Sequence, residues 1–173
     1  MRTLASSNVI LEPQVAAHAE EMFAVLSDPA IYEYENEPPS SLDWLRERLT
    51  RLESRQSADG TQRWLNWVVR LRTGGLIGYV QATIFPTGRA AIAYVLASEY
   101  WGRGLASEAC QAMIAELARR HGVVMVYATF KRRNARSARL LERLGFAAAT
   151  AESVGLAVEP DELLMLRHVN APE

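Results

Sequence analysis

The sequence predicts a single α+β domain: a mixed sheet of about seven strands with helices on both faces. Three observations carry that expectation. Two segments with helical 3/4 spacing lie near the N-terminus and precede a block of strand-like runs separated by Gly-containing turns. The run "VVMVYATF" is rich in β-formers and does not alternate, as a strand buried on both faces would read. On either side of that run lie segments with helical spacing, each followed by a glycine, Gly122 and Gly145. At 173 residues the chain is the size of one domain, here taken as 1–173.

The elements follow in order. Val9, Ile10 and Leu11 form a short first strand that Pro13 stops. A helix is predicted from Val15 to Leu26, with Ala19, Met22, Phe23 and Leu26 on one stripe, ending at Asp28-Pro29. The proline-bearing polar stretch "IYEYENEPPSS" reads as a loop. Ser41 then caps a helix from Leu42 to about Ser57, with Trp44, Leu45, Leu49 and Leu52 as its apolar stripe. "RWLNWVVRLR" and "LIGYVQATIF" flank Thr73-Gly74-Gly75 as a hairpin, and Pro86-Thr87-Gly88 turns the chain into a strand from Ala91 to Leu96. A helix runs from about Gly104 to Arg120 and another from about Ala135 to Leu144. Phe146–Ala151 and Leu163–Val169 close the sheet as an antiparallel pair. The order is β-α-α-β-β-β-α-β-α-β-β.

Composition narrows the function classes. Hydrophobic residues make up 49% and charged residues 23%, which suits a packed globular protein and not a disordered one. With 19 Lys and Arg against 20 Asp and Glu, the net charge of −1 offers no bulk attraction to nucleic acid or to a membrane surface. The single cysteine, Cys110, precludes an internal disulfide and fits a reducing compartment. "MRTLASSNVILEP" lacks the apolar core of a signal peptide, and no run approaches ~18 apolar residues, so the cytoplasm is the expected location.

The informative stretch is "YVLASEYWGRGLASEAC": an apolar run, two glycines around one arginine, then a helix at once. Backbone N–H groups at a helix N-terminus make an anion site, and glycine lets a phosphate approach the chain closely. A dinucleotide fingerprint would need a third glycine where Ser107 stands, and a Walker A loop would need Gly-Lys-Ser/Thr. Taken alone, a tight βα turn that merely needs glycine explains the spacing equally well.

The turn has a companion. Asn134 and Ser137 open the next helix after the buried strand, and Gly145-Phe146 closes it. Together "YWGRGLASEA" and this second region resemble the two signature regions of the GNAT N-acetyltransferases, in the branch of the ribosomal-protein N-terminal alanine and serine acetyltransferases. "SDPAIYEY" and "EPPSSLDWL" resemble the first-helix boundary and acidic loop of that branch, so the likeness runs from about Val9 to Phe146.

The resemblance implies direct transfer of an acetyl group from acetyl-CoA to an amine, without a metal or a covalent enzyme intermediate. It places the CoA pyrophosphate on the turn Trp101, Gly102, Arg103, Gly104, Leu105, Ala106 and Ser107. Pantetheine would pair with the strand edge at Tyr94, Val95 and Leu96, with the Leu96 N–H stabilising the oxyanion. Asn134 would bond the pantetheine, Ser137 would protonate the leaving thiolate, and Arg139 would draw the phosphates. The branch loop carries Glu33, Glu35 and Glu37 beside the acceptor, with Glu35 as the candidate proton relay. The sequence departs from the wider superfamily at Leu141, where a tyrosine often serves as general acid.

Each residue also has a plainer reading. Asn134 alone would be a helix N-cap, Ser137 a solvated serine, and the cluster Lys131, Arg132, Arg133, Arg136, Arg139 and Arg143 a charged face or an RNA contact. Glu108 reads as a dipole-compensating or structural carboxylate, and Cys110 as a small core residue. His18, His121 and His168 share no metal-ligand spacing. The expected partners are acetyl-CoA and an amine acceptor, best a protein or peptide N-terminus, with the protein a monomer or homodimer. A small-molecule acceptor (amino acid, polyamine or antibiotic) and a non-catalytic acyl-CoA-binding module are the alternatives.

Overall fold

The computed structural model describes residues 1–169; the last four positions of the expected 1–173 domain lie outside them. One eight-stranded sheet runs through the molecule in the order β1-β2-β3-β4-β5-β6-β8-β7. The strands are β1 (Leu4–Ala5), β2 (Val9–Pro13), β3 (Arg63–Leu71), β4 (Leu76–Ile84), β5 (Arg89–Leu96), β6 (Met125–Lys131), β7 (Ala147–Ala149) and β8 (Glu162–His168). The strand beyond the expected seven is the two-residue β1, too short to leave a periodic trace, which pairs with Ile10 and Leu11.

The helices are α1 (Ala19–Leu26), α2 (Leu42–Leu52), α3 (Leu105–His121), α4 (Ala135–Arg143) and the single turn α5 (Ala151–Val154). Helices α1 and α2 pack on one face of the sheet through Met22, Leu45 and Leu49 against Val68 and Leu76. On the other face α3 and α4 pack through Met113, Leu117 and Leu141 against Trp67, Val69 and Ile77. The neighbours Trp67, Val68 and Val69 therefore serve different cores, as the period-two geometry of a strand requires. Burial of both faces explains why β3 is apolar from Trp64 to Val69 apart from Asn66.

Several boundaries differ from the sequence expectation, each for a local reason. The first helix is divided: Ala16–His18 is a 3₁₀ turn and only Ala19–Leu26 is α-helical. The second helix stops at Leu52, because Arg55 takes a left-handed φ of 57° and sends the chain toward β3, where Trp64 N–H donates to its carbonyl at 2.7 Å. The expected strand Phe146–Ala151 shortens to Ala147–Ala149, since Ala151–Val154 turns helical and buries Val154 against Met125 and Tyr127. The caps read from sequence are present: Ser41 Oγ accepts from Trp44 N–H at 3.1 Å, and Gly122 ends α3 at φ 67°.

What positions the site is a divergence in the middle of the sheet. Strands β5 and β6 run parallel but pair only over Arg89–Ala91 and Met125–Tyr127. Beyond Ala91, β5 continues to Leu96 held by β4 alone, while β6 is paired along its length with β8. The two strands part, and the edge of β5 from Ile92 onward is open.

Candidate active site

The open edge forms the wall of a cleft of about 720 Å³. Tyr94, Val95 and Leu96 line it from β5. On an antiparallel strand successive N–H groups point to opposite sides. Ala97 N–H donates across to Ile77 on β4 at 2.9 Å, so Leu96 faces the opposite way, and its carbonyl accepts from the Trp101 indole N–H at 2.8 Å. The Leu96 N–H, on the same side as that carbonyl, is directed to the open edge. Trp101 thus lines the cleft and also ties the turn to the strand end, a second role that sequence did not disclose.

Below the edge lies the glycine turn. Gly102 and Gly104 have φ of 74° and 77°, a left-handed conformation that side-chain-bearing residues avoid, and a Cβ on either would meet no protein atom within 4 Å. Both needs coincide here: the turn requires glycine, and the space above it is clear. The first backbone bond of α3 is Glu108 N–H to Gly104 carbonyl, at 3.0 Å. The N–H groups of Leu105, Ala106 and Ser107 consequently have no partner within the helix. Gly102, Gly104, Leu105, Ala106 and Ser107 all line the cleft. Ser107 Oγ is buried without a hydrogen-bond partner among the described residues, as a group waiting for a ligand oxygen would be. Arg103 is exposed, does not line the cleft and lies over the Tyr100 ring at 5.6 Å.

Helix α4 supplies the opposite wall. Asn134 Oδ1 caps it, accepting from Ser137 N–H at 3.1 Å, so the N-cap reading is correct even though Asn134 also lines the cleft. Ser137 lies beside Tyr94: burial raises the Tyr94 phenol well above its ordinary pKa, and hydrogen bonding to Ser137 draws it partly back. Leu141 is fully buried in the core, so this helix position faces away from any reacting group.

The basic cluster separates in space. Arg136, Arg139 and Arg143 line the cleft. Arg136 stacks on Trp101 at 4.1 Å and pairs with Glu33 at 2.7 Å, bridging α4 to the loop before α2. Lys131 instead pairs with Asp161 and Glu162, at 3.0 and 3.3 Å. The loop acids separate too. Glu33 is taken by Arg136, which holds its carboxyl below the usual range. Glu35 is outside the cleft, its carboxyl raised by burial first and then by Glu162, while Lys131 opposes the rise. Glu37 lines a second cleft.

That second cleft, about 200 Å³, lies on the α1/α2 face of the sheet, and Ile31 and Val95 line both cavities. Its floor is Gln14, Tyr79, Gln81 and Val95, and α2 contributes Trp44, Arg48 and Leu49. Trp44 belongs to this rim and not to the core: it is 41% exposed, with Arg48 stacked at 5.6 Å. Burial raises the Tyr32 phenol on its loop wall to about 12. Sequence reasoning missed Gln14 and Tyr79, which read there only as parts of a loop and a strand.

The remaining candidates are structural. Glu108 accepts from the backbone and side chain of Asn8 at 2.6 and 2.9 Å; burial raises its carboxyl, and these bonds outweigh that. Cys110 is fully buried and burial pushes its thiol up. His18 Nδ1 accepts from Val15 N–H at 3.1 Å. Among the described residues no three His, Cys, Asp or Glu side chains gather to hold a metal, and no helix is long and apolar enough to cross a membrane.

Comparison with known proteins agrees with this geometry. The family model described as an acetyltransferase (GNAT) domain matches residues 8–147. A ribosomal L7/L12 α-N-protein acetyltransferase, RimL, in complex with coenzyme A superposes with a TM-score of 0.81 at 16% identity, covering 98% of this chain and 99% of that one. The ribosomal-protein-S5-alanine acetyltransferase from Vibrio fischeri gives 0.77 at 20% identity, covering 96% of both chains. A GNAT-family acetyltransferase from Bacillus anthracis gives 0.76 at 18% identity, covering 96% of this chain and 98% of that one. No match to a curated protein reaches significance. The open β5 edge, the glycine turn and a family match over most of its length make this chain a member of the GNAT acetyltransferase family, an acyltransferase that uses acetyl-CoA.

Proposed function

We propose that the enzyme acetylates the α-amine of a peptide or protein N-terminus. The observation that carries this reading is the acceptor cleft: it meets the larger cleft at Val95, and the carboxylate among its lining residues is the exposed Glu37. Only a neutral amine attacks a thioester. At pH 7 an α-amino group of pKa ~7.8 is roughly 15% neutral and a lysine amine of pKa ~10.4 only about 0.04%. That gap is about 3.5 kcal/mol, which a strong buried base would have to supply for lysine. An exposed glutamate fits an acceptor that is already partly neutral. The likeness to structures described as α-N-protein and ribosomal-protein alanine acetyltransferases supports the same choice.

In this reading the larger cleft holds acetyl-CoA, which supplies the activated acetyl group. The free amides of Leu105 to Ser107 and the guanidiniums of Arg139 and Arg143 bind its phosphates. The open edge at Tyr94–Leu96 pairs with the pantetheine amides, and Asn134 Nδ2 donates to them. The Leu96 N–H stabilises the negative charge that develops on the acyl oxygen as the amine nitrogen bonds to the acyl carbon, an effect worth about 3 kcal/mol. As the carbon–sulfur bond breaks, Ser137 passes a proton to the sulfur and is reprotonated from Tyr94 or solvent. The proton lost by the amine leaves through water to Glu37 or Glu35. The test is mass spectrometry of a peptide carrying both a free N-terminus and a lysine after incubation with acetyl-CoA. Acetyl on the N-terminus is expected; acetyl mainly on the lysine, or on neither while small amines react, refutes the reading.

A further inference from the structure

The floor of the acceptor cleft contains a group whose presence the fold does not explain. Gln14, just past β2, is only 6% exposed, lines the cleft, and its Nε2 finds no hydrogen-bond partner among the described residues. Asn66 beside it on β3 is 5% exposed and its Nδ2 is likewise unpartnered. Backbone pairing sets three amides side by side: Gln14 N–H donates to Asn66 carbonyl at 2.9 Å, and Asn66 is opposite Gln81 on β4. Buried amide donors without partners cost stability, and leucine or methionine would fill the same space without that cost. A polar group kept at such a cost in the wall of a cleft marks a place where a ligand atom completes the bonding.

The sheet supplies a ruler. The reacting amine arrives at Val95 on β5, and Gln14 lies level with β2, three strand spacings away. At about 4.8 Å per spacing this is about 14 Å across the strands, and the ladder from Gln14 through Asn66 and Gln81 ends opposite Ala93, two residues or about 7 Å along β5 from Val95. The diagonal, about 16 Å, is covered by an extended chain in about four to five residues at 3.3–3.6 Å each. The occupant meets a donor at the far end, the Gln14 amide, with the Arg48 guanidinium also on the wall; Glu37 is the acidic group among the lining residues. Such an end accepts oxygen and repels a second cation.

Resting on the N-terminal reading above, we propose that Gln14 is a specificity-determining residue that binds a backbone carbonyl oxygen of the acceptor peptide, about four to five residues from the acetylated amine. Acceptors shorter than that leave the Gln14 amide unpaired. Polyamines, with a cation where the carbonyl should be, are poor acceptors.

The test uses a series of alanine peptide amides of one to five residues, with spermidine as the cationic comparison. For the native enzyme kcat/KM is expected to rise about tenfold between two and five residues. In Gln14→Leu that rise shrinks to less than about threefold, with the loss in KM. The melting temperature of the unliganded Gln14→Leu protein is expected to equal or exceed the native value, because an unpaired donor has been removed; Gln14→Met repeats both measurements should the Leu variant fold poorly. Peptides acetylated at the N-terminus with no dependence on length, or a length dependence unchanged in both variants, overturn the role of Gln14 and leave the N-terminal function standing. A melting temperature lowered in both variants shows a structural partner for the amide and also overturns it. Spermidine acetylated faster than every peptide overturns the inference and the N-terminal reading together.

Discussion

The carbonyl oxygen of Val95 occupies the place where a β-carbon on Gly78 would lie; that carbon would also come within 2.8 Å of Leu96 Cα. Gly78 faces Leu96 across the β4–β5 ladder, so the missing side chain lets β5 sink onto β4 at the residues that carry the open edge. Any substituent there must push Val95 and Leu96 outward. Gly78→Ala is expected to cost about 1–3 kcal/mol of stability. The loss of kcat is expected to exceed what the loss of folded protein explains, since the Leu96 N–H is displaced. Urea denaturation and kcat measured on the same folded preparation check both; native kcat would show that the edge tolerates the shift.

The glycine turn makes a second prediction. Gly104 has φ 77° with open space where a Cβ would stand, so Gly104→Val introduces backbone strain and a branched group at the anion site. The Kd for CoA should rise at least tenfold, about 1.4 kcal/mol. Titration calorimetry on protein shown to be folded by circular dichroism decides it, and unchanged affinity removes the turn from the CoA site.

Ser137 and Tyr94 are expected to act as one proton-delivering unit. Ser137→Ala should lower kcat by about 10²-fold, the low end for general acid catalysis, with little change in acetyl-CoA affinity. Adding Tyr94→Phe should cost far less than a second factor of that size, because the two hydroxyls share one task. Burial raises the Tyr94 phenol, so its neutral form persists through the physiological range. The native enzyme should therefore show no alkaline fall in kcat from this group below about pH 10. Native kcat in Ser137→Ala would mean that the thiolate leaves unassisted.

Asp28 joins the loop after α1 to the end of β5. Its carboxylate accepts from Ser98 N–H at 2.7 Å and caps the turn at Ala30 N–H at 2.9 Å. The Ser98 bonds, with a smaller contribution from Ala30, hold its pKa below the ordinary value. A depressed carboxylate contributes stability that is present above its unfolded pKa of ~3.9 and is lost as pH falls through the folded value. Asp28→Ala should cost about 2 kcal/mol at pH 7, from one cap and one further hydrogen bond. That difference should shrink as pH drops below about 4. Melting curves of both proteins across pH 3–7 test this, and a pH-independent difference would contradict it.

Residues whose role depends on local conformation were legible in the sequence. Ser41 caps α2 and Gly122 ends α3 because a side-chain oxygen before a helix and a left-handed residue after it act within one turn of chain. The glycine turn belongs to the same class, and every residue expected at the CoA site except Arg103 lines the larger cleft. The Arg103 side chain is directed elsewhere, its guanidinium over the Tyr100 ring, because a side chain's direction depends on its neighbours.

By itself the sequence determined the α+β class, the order of the longer elements and the glycine turn before a helix N-terminus, because periodicity and capping are local properties of the chain. Tertiary structure alone decided where β5 leaves β6, since that depends on β6 pairing with β8, more than thirty residues later. It also decided that Glu33 is consumed by Arg136 while Glu37 lines the second cleft, and that Gly78 makes room for Val95. Gln14 completes the contrast. In sequence it is one polar residue after a proline; only the pairing of β2, β3 and β4 buries its amide without a partner among the described residues, in the wall of the second cleft. Such contacts join residues far apart in the chain, and no local pattern records which of them will meet.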